Sequence, residues 1–158
     1  MKRTFSITEW CQLAKDGTSI PMHITLKGGS MFPLIRFGRD YVTIMPNNDE
    51  LHIGDIVLFS QQTLTSIYVV HRIWDLKDDM VLTWGDNTKS PDGWIPTKEI
   101  LGKVVLIERG RKKIQPDPIK GMKWARFWHQ AGKVYRIYKR YKDGLVRRIN
   151  KVRTRGAK

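Results

Sequence analysis

From residue 19 to residue 108 the chain is a series of short β-branched runs, each stopped by a cluster of turn-forming residues. Glycine and proline make those stops sharp, because one tolerates backbone angles other residues avoid and the other fixes its own. Residues 20–26 alternate in polarity and run into the Gly28-Gly29 turn. Residues 40–45 read as a strand ending at Pro46-Asn47-Asn48, and residues 55–59 as a short apolar strand started by Gly54. Residues 66–74 and 80–84 read as two strands joined by an acidic turn over 75–79, and residues 103–108 as the last strand before Arg109-Gly110. The pattern predicts a mainly β fold, a sandwich or a coiled barrel.

Helical signals flank this region. Residues 6–15 read as a short helix capped by Ser6 or Thr8, with Ile7, Trp10, Cys11 and Ala14 at helical spacing and Asp16-Gly17 as its stop. Cys11 is expected to be a small buried apolar residue on that face. After Pro116-Asp117-Pro118 the period changes again. Trp124, Phe127, Trp128, Ala131, Val134, Tyr135, Tyr138 and Tyr141 fall three and four apart, with Lys and Arg on the opposite face. That is one amphipathic basic helix, or two broken near Asp143-Gly144. The expected organisation is an N-terminal helical segment over 1–18, a β domain over 19–115 and a basic helical tail over 116–158.

Charge separates the same parts. The formal net charge is +14, yet residues 120–158 hold 14 Lys and Arg against one acid, Asp143. The remainder is nearly balanced, so the basicity belongs to the tail. No apolar run approaches the roughly 18 residues a membrane-spanning helix needs, and the first 15 residues lack the continuous apolar segment of a secretory signal. A single cysteine excludes an internal disulfide and fits a reducing compartment. A cytoplasmic protein, with peripheral attachment at the inner membrane surface through the tail, is the expected location.

Three short stretches carry chemistry. Ser30 sits between Gly28-Gly29 and Met31-Phe32-Pro33, an exposed and constrained turn. His71 ends the β-branched run Tyr68-Val69-Val70, and Gly85-Asp86-Asn87-Thr88-Lys89-Ser90-Pro91-Asp92 is a tight polar loop. Serine is a weak nucleophile until a base takes its proton, and the base needs an orienting group. The chain offers Ser30, His71 and Asp92 in that order, with Asp86 as a supporting or loop-holding acid. Each also has an ordinary reading: a turn serine bonded to its own backbone, a strand histidine satisfied by a neighbour, and an Asp92-Gly93 turn. Arg72 is expected to pair with an acid of the 86–92 loop. His23, His52 and His129 have no ligand spacing, and neither a metal nor another cofactor is expected.

With those residues in hand, the sequence over about 20–108 resembles the signal peptidase I family and its relatives, the self-cleaving repressor peptidases. Gly28-Gly29-Ser30-Met31-Phe32-Pro33 is similar to that family's nucleophile motif. The stretch 51–59, containing Gly54-Asp55-Ile56-Val57, resembles its G-D-I-V-x-F box. Val70-His71-Arg72-Ile73 resembles the base-bearing box, Gly85-Asp86-Asn87 with Asp92 the acidic loop, and residues 100–105 the closing I-x-G-K-V-V strand. The resemblance implies a coiled β-barrel and a serine endopeptidase acting on a leader or signal-like peptide, or a preprotein, after small residues. Histidine at position 71 matches the endoplasmic-reticulum form rather than the lysine form. In that form the second acid of the loop, here Asp92, belongs to the catalytic unit. Gly28 stands where many bacterial members carry a hydroxyl that helps bind the oxyanion, which leaves backbone N–H groups of the Gly28, Gly29 and Met31 turn as donors. Arg39 is an insertion relative to the family pattern, and the family's usual N-terminal anchor has no counterpart here.

Two other functions compete. A self-cleaving regulatory peptidase would place its cleaved dipeptide before the catalytic region, whereas Ala131-Gly132 lies after it. A non-catalytic peptide- or membrane-binding module would have no use for Ser30, His71 and Asp92 together. For the tail, Trp124, Phe127, Trp128, Arg136, Lys139 and Arg140 fit an anionic membrane surface. An acidic partner is a further option, and nucleic acid is disfavoured. The plainest alternative is a helix packed on the β domain by its apolar stripe, with a solvated basic face.

Overall fold

In the computed structural model, residues 6–47, 50–62 and 66–132 are described. The molecule is mainly β: eight strands form one antiparallel sheet, with a helix on either side of the strand region in sequence. The sheet is not closed. The N-terminal helix α1, Ile7–Lys15, begins as its sequence dictates. The Ser6 side chain accepts from the Glu9 N–H while the Glu9 carboxylate accepts from the Ser6 N–H, a reciprocal capping box. Its apolar face enters the core through Trp10 and Cys11, and the Trp10 indole N–H donates to Ile20 O.

The strands are β1 Met22–Thr25, β2 Asp40–Pro46, β3 Ile56–Gln62, β4 Ser66–Lys77, β5 Met80–Trp84, β6 Gly93–Pro96, β7 Ile100–Arg109 and β8 Lys112–Ile114. Their order across the sheet is β1-β2-β7-β3-β4-β5-β6, with β8 paired to β7. Strand β3 shows why the order is so. Ile56, Val57, Leu58 and Phe59 are all buried, Ile56 and Leu58 in one core cluster and Val57 and Phe59 in another. A strand apolar on both faces must lie between two cores, and each such side chain contributes about 1.5–3 kcal/mol by leaving water. The larger core holds α1, β1, β2 and much of β7; the smaller joins Val57 and Phe59 to Ile73, Val81 and Ile100.

Strand β4 is longer than its sequence signal. It continues through Asp75 to Lys77, and only Asp78-Asp79 turns the chain into β5, with Asp78 at φ 51°. Aspartate tolerates that left-handed angle better than most residues. Two strands escape the sequence pattern. β6 is four residues set between Gly93 and Pro96, and β8 starts on two lysines.

The long loop between β1 and β2, which carries Ser30, is tied back to the sheet at Asp40. The buried Asp40 carboxylate accepts from Arg109 Nε at 2.9 Å and Nη2 at 2.6 Å, and from the Arg36 N–H at 2.9 Å. Arg109 Nη2 also donates to Leu34 O at 2.8 Å. The Arg109 hydrogen bond holds the Asp40 carboxyl below the usual carboxylate range, against the opposing effect of burial.

Residues 118–132 form a second helix, α2. It docks by Met122, Ala125 and His129, all buried, while Trp124 and Phe127 remain about 60% and 59% exposed. The plainer alternative, in which the whole aromatic stripe packs on the β domain, therefore fails for Trp124 and Phe127. Of the three, Trp128 is the one partly buried, its ring 5.9 Å edge-on from Phe32. The physical reason is space. Gly121 passes so close to Arg72 that a Cβ there would meet Nη1 at 2.5 Å, which turns the side with Met122, Ala125 and His129 toward the β domain. Among the described residues no helix is long and apolar enough to cross a membrane.

Candidate active site

β4 presents adjacent residues to opposite faces, as any strand must. His71 and Arg72 therefore point apart, and the loop after β5 supplies each with its own acid. The short distance of 2.6 Å separates His71 Nδ1 from Asp92 Oδ2. Arg72 makes a fork to Asp86, Nε to Oδ1 at 2.9 Å and Nη2 to Oδ2 at 2.7 Å, and its Nη1 donates to Gly54 O at 2.8 Å. This decides between the two acids offered by the sequence. Asp92 faces the histidine; Asp86 is held in a buried ion pair with Arg72. The expected pairing of Arg72 with an acid of this loop is present.

Asp92 is itself held in place. Thr83 Oγ1 donates to the same Oδ2 at 2.9 Å, and the Asp92 N–H donates to Thr83 O at 2.9 Å. Thr83 is fully buried and carries no signal in the sequence beyond being a strand residue. The His71 ring packs edge-on to Phe59, 6.3 Å between centroids, and lies against Gly85. A Cβ at Gly85 would stand 2.8 Å from His71 Nε2 and 2.8 Å from Thr88 Cγ2. Only glycine fits beside this ring.

The same loop also holds the serine turn. The Asn87 N–H donates to Ser30 O at 2.7 Å, and Asn87 Nδ2 donates to Gly29 O at 3.1 Å. Within the turn, the Phe32 N–H donates to Gly29 O at 3.1 Å, and Gly28 takes φ 83°, an angle that suits glycine. Met31 is buried and anchors the turn in the larger core. Loop 85–92 thus reaches both of the other stretches: Asn87 clamps the Ser30 turn, Gly85 and Asp92 flank His71, and Asp86 fixes Arg72 beside it. Thr88 Oγ1, which donates to Gly85 O at 3.1 Å, stiffens it.

Ser30 and His71 line one cleft of about 700 Å³, whose apolar walls include Ile24, Leu26, Leu58, Ile67 and Val70. One wall belongs to β1, the terminal strand of the sheet. The other is the first part of β4. Its residues 66–71 pair with β3 on one side, while pairing with β5 begins only at Arg72. Among the described residues both walls are strand edges with no further strand beside them.

Behind the loop lies α2. His129 Nε2 is 3.1 Å from Gly85 O, and its ring sits against Trp84 at 4.2 Å and Trp74 at 4.9 Å. Metal-ligand spacing gives no reason to single out His129. Its place follows instead from Trp74 and Trp84, which β4 and β5 bring together at 4.8 Å. Of the other histidines, His23 stacks on Tyr41 at 5.1 Å, and His52 lies 3.8 Å from Asp55. Among the described residues no three His, Cys, Asp or Glu side chains are grouped as a metal would need. Arg136, Lys139 and Arg140 of the expected tail surface lie outside the described residues, as do Val134, Tyr135, Tyr138 and Tyr141. No protein-family model and no curated protein sequence matches the chain.

Proposed function

We propose that the protein is a serine endopeptidase of the signal peptidase-like type, its sheet coiling toward the barrel of that fold. Ser30 is the nucleophile, His71 the general base and then acid, and Asp92 the group that orients His71. The observation that carries this reading is the 2.6 Å contact of His71 Nδ1 with Asp92 Oδ2, made on the wall of the cleft that Ser30 also lines.

The chemistry follows from the contact. With Nδ1–H donated to the Asp92 carboxylate, Nε2 is the ring's acceptor and takes the Ser30 hydroxyl proton as Oγ attacks the scissile carbonyl. The carbonyl oxygen becomes an oxyanion, for which backbone N–H groups of the Gly28–Met31 turn are the nearest donors by sequence. Collapse breaks the C–N bond, and the Nε2 proton leaves with the amine. Water then gives its proton to Nε2, attacks the acyl-serine, and releases the carboxylate with Ser30 restored. An extended peptide suits the cleft because its backbone can bond to the open edges of β1 and β4 while alternate side chains enter the apolar walls.

The test is cleavage of a degenerate peptide library by the full chain, read by mass spectrometry. Wild-type protein is expected to produce a consistent set of cut bonds that Ser30→Ala does not produce. A folded wild type that cuts nothing, or a Ser30→Ala variant that cuts the same bonds, would overturn the assignment.

A further inference from the structure

The docked face of α2 accounts for Met122, Ala125 and His129, and leaves its aromatic residues unexplained. Trp124 and Phe127 form an edge-on pair at 5.6 Å and are both more than half exposed; Ile119, at the start of the helix, is 71% exposed. Exposing three large apolar side chains on one short helix is costly in water, so such a patch marks a surface that meets something. Trp128 lies one turn beyond Trp124 and touches Phe32, which is 41% exposed and two residues past Ser30. Pro33 and Leu34 share a recess of about 330 Å³ with Trp124 and Trp128. The aromatic surface therefore runs from α2 onto the turn that carries Ser30.

Charge says what it meets. Lys120, Lys123 and Arg126 are exposed among these rings, and the one nearby acid, Asp117 at the start of the helix, lies 3.5 Å from Lys120 Nζ. The sequence beyond adds eleven more Lys and Arg against Asp143 alone. A basic surface by itself would suit any polyanion. Indole and phenyl rings between the cations narrow the choice, because such rings favour the headgroup–acyl boundary of a bilayer while Lys and Arg meet phosphates.

We infer that the outer face of α2, with Trp124 and Phe127 as the inserting rings and Lys120, Lys123 and Arg126 as the phosphate contacts, docks the protein on an anionic lipid surface. Docking would bring Phe32 and the Ser30 turn to the lipid boundary. The surface stands without the peptidase reading; only that consequence for substrate access rests on it.

The test is partitioning of the full chain onto vesicles of phosphatidylcholine with 30% phosphatidylglycerol, compared with pure phosphatidylcholine, by co-sedimentation. The expected results are at least tenfold stronger partitioning onto the anionic vesicles, and at least a tenfold loss in the double variant Trp124→Ala/Phe127→Ala. Both substitutions fall on exposed side chains, so an unchanged melting curve should confirm the fold. Trp94→Ala, which removes an exposed ring from β6, should partition as wild type. Three outcomes overturn the proposal. They are no binding to anionic vesicles, wild-type binding by the double variant, and equal ring-dependent binding to polyglutamate or duplex DNA, which would assign the face to an acidic macromolecule.

Discussion

Two acids of one loop, six residues apart, have opposite fates. Asp86 is buried, bonded twice to Arg72 and enclosed beneath α2, where Gly121 lies against the guanidinium. Asp92 is partly buried behind His71, with one oxygen shared between His71 and Thr83. Arginine keeps its proton at any ordinary pH, so the first pair can only hold structure. An imidazole can accept a proton at one nitrogen while the other is held by a carboxylate, so the second pair can do chemistry. A single polar loop serves both purposes because His71 and Arg72 are consecutive on a strand and therefore face opposite ways.

Exchanging the acids' functions should be impossible, and the largest effects test that. Asp92→Asn should leave the fold intact and lower peptide cleavage by about 10³–10⁴, since the imidazole loses its orienting carboxylate. The check is turnover on a peptide from the library screen together with a melting curve. Asp86→Asn should do the reverse and cost about 3–5 kcal/mol by leaving Arg72 buried without its countercharge. A drop in Tm of roughly 10 °C is expected for a chain of this size. Replacing both partners by Arg72→Met/Asp86→Leu should recover much of that loss; no recovery would mean that the pair does more than neutralise itself.

Smaller changes sharpen the contrast within the catalytic side. Gly85→Ala would push a methyl toward His71 Nε2 and should reduce turnover by more than about tenfold, with a smaller effect on Tm than Asp86→Asn. Thr83→Val removes a hydroxyl donor from the Asp92 carboxylate and should cost about tenfold in turnover, as expected for one hydrogen bond to a charged group.

Much of this arrangement is legible in sequence, and the missing parts have physical causes. The runs of β2, β3, β5 and β7 are readable because their alternation or continuous apolarity records which faces are buried. β6 and β8 are not, since a four-residue strand between glycine and proline and a strand begun by Lys112-Lys113 look like turns. Ser30, His71 and Asp92 are recognisable as chemical types, whereas Thr83 and Asn87 matter only through partners that tertiary folding supplies. The packed face of α2 is unreadable for another reason. Helical period shows that Trp124, Phe127 and Trp128 share a side, but it cannot tell whether that side faces protein or something outside. The close approach of Gly121 to Arg72 decides it, by setting the side that carries Met122, Ala125 and His129 against the β domain.

The least visible effect at neutral pH belongs to a third pair, Asp40 with Arg109, which ties the Ser30 loop to β7. The Asp40 carboxyl is held below its usual range by the Arg109 hydrogen bond. Its stabilisation is therefore present above the unfolded carboxyl pKa of about 3.9 and drains away as pH falls through the lower native value. Asp40→Asn should flatten the acid limb of a stability-against-pH curve measured by urea unfolding. An unchanged acid limb would place that dependence elsewhere.

The central claim is that His71 activates Ser30, and reaction with a fluorophosphonate read by intact mass and peptide mapping tests it most directly. The account predicts one adduct, on Ser30, formed by wild type and by folded Asp86→Asn and abolished in His71→Ala. A folded wild type that forms no adduct, or an adduct that His71→Ala leaves unchanged, would contradict it.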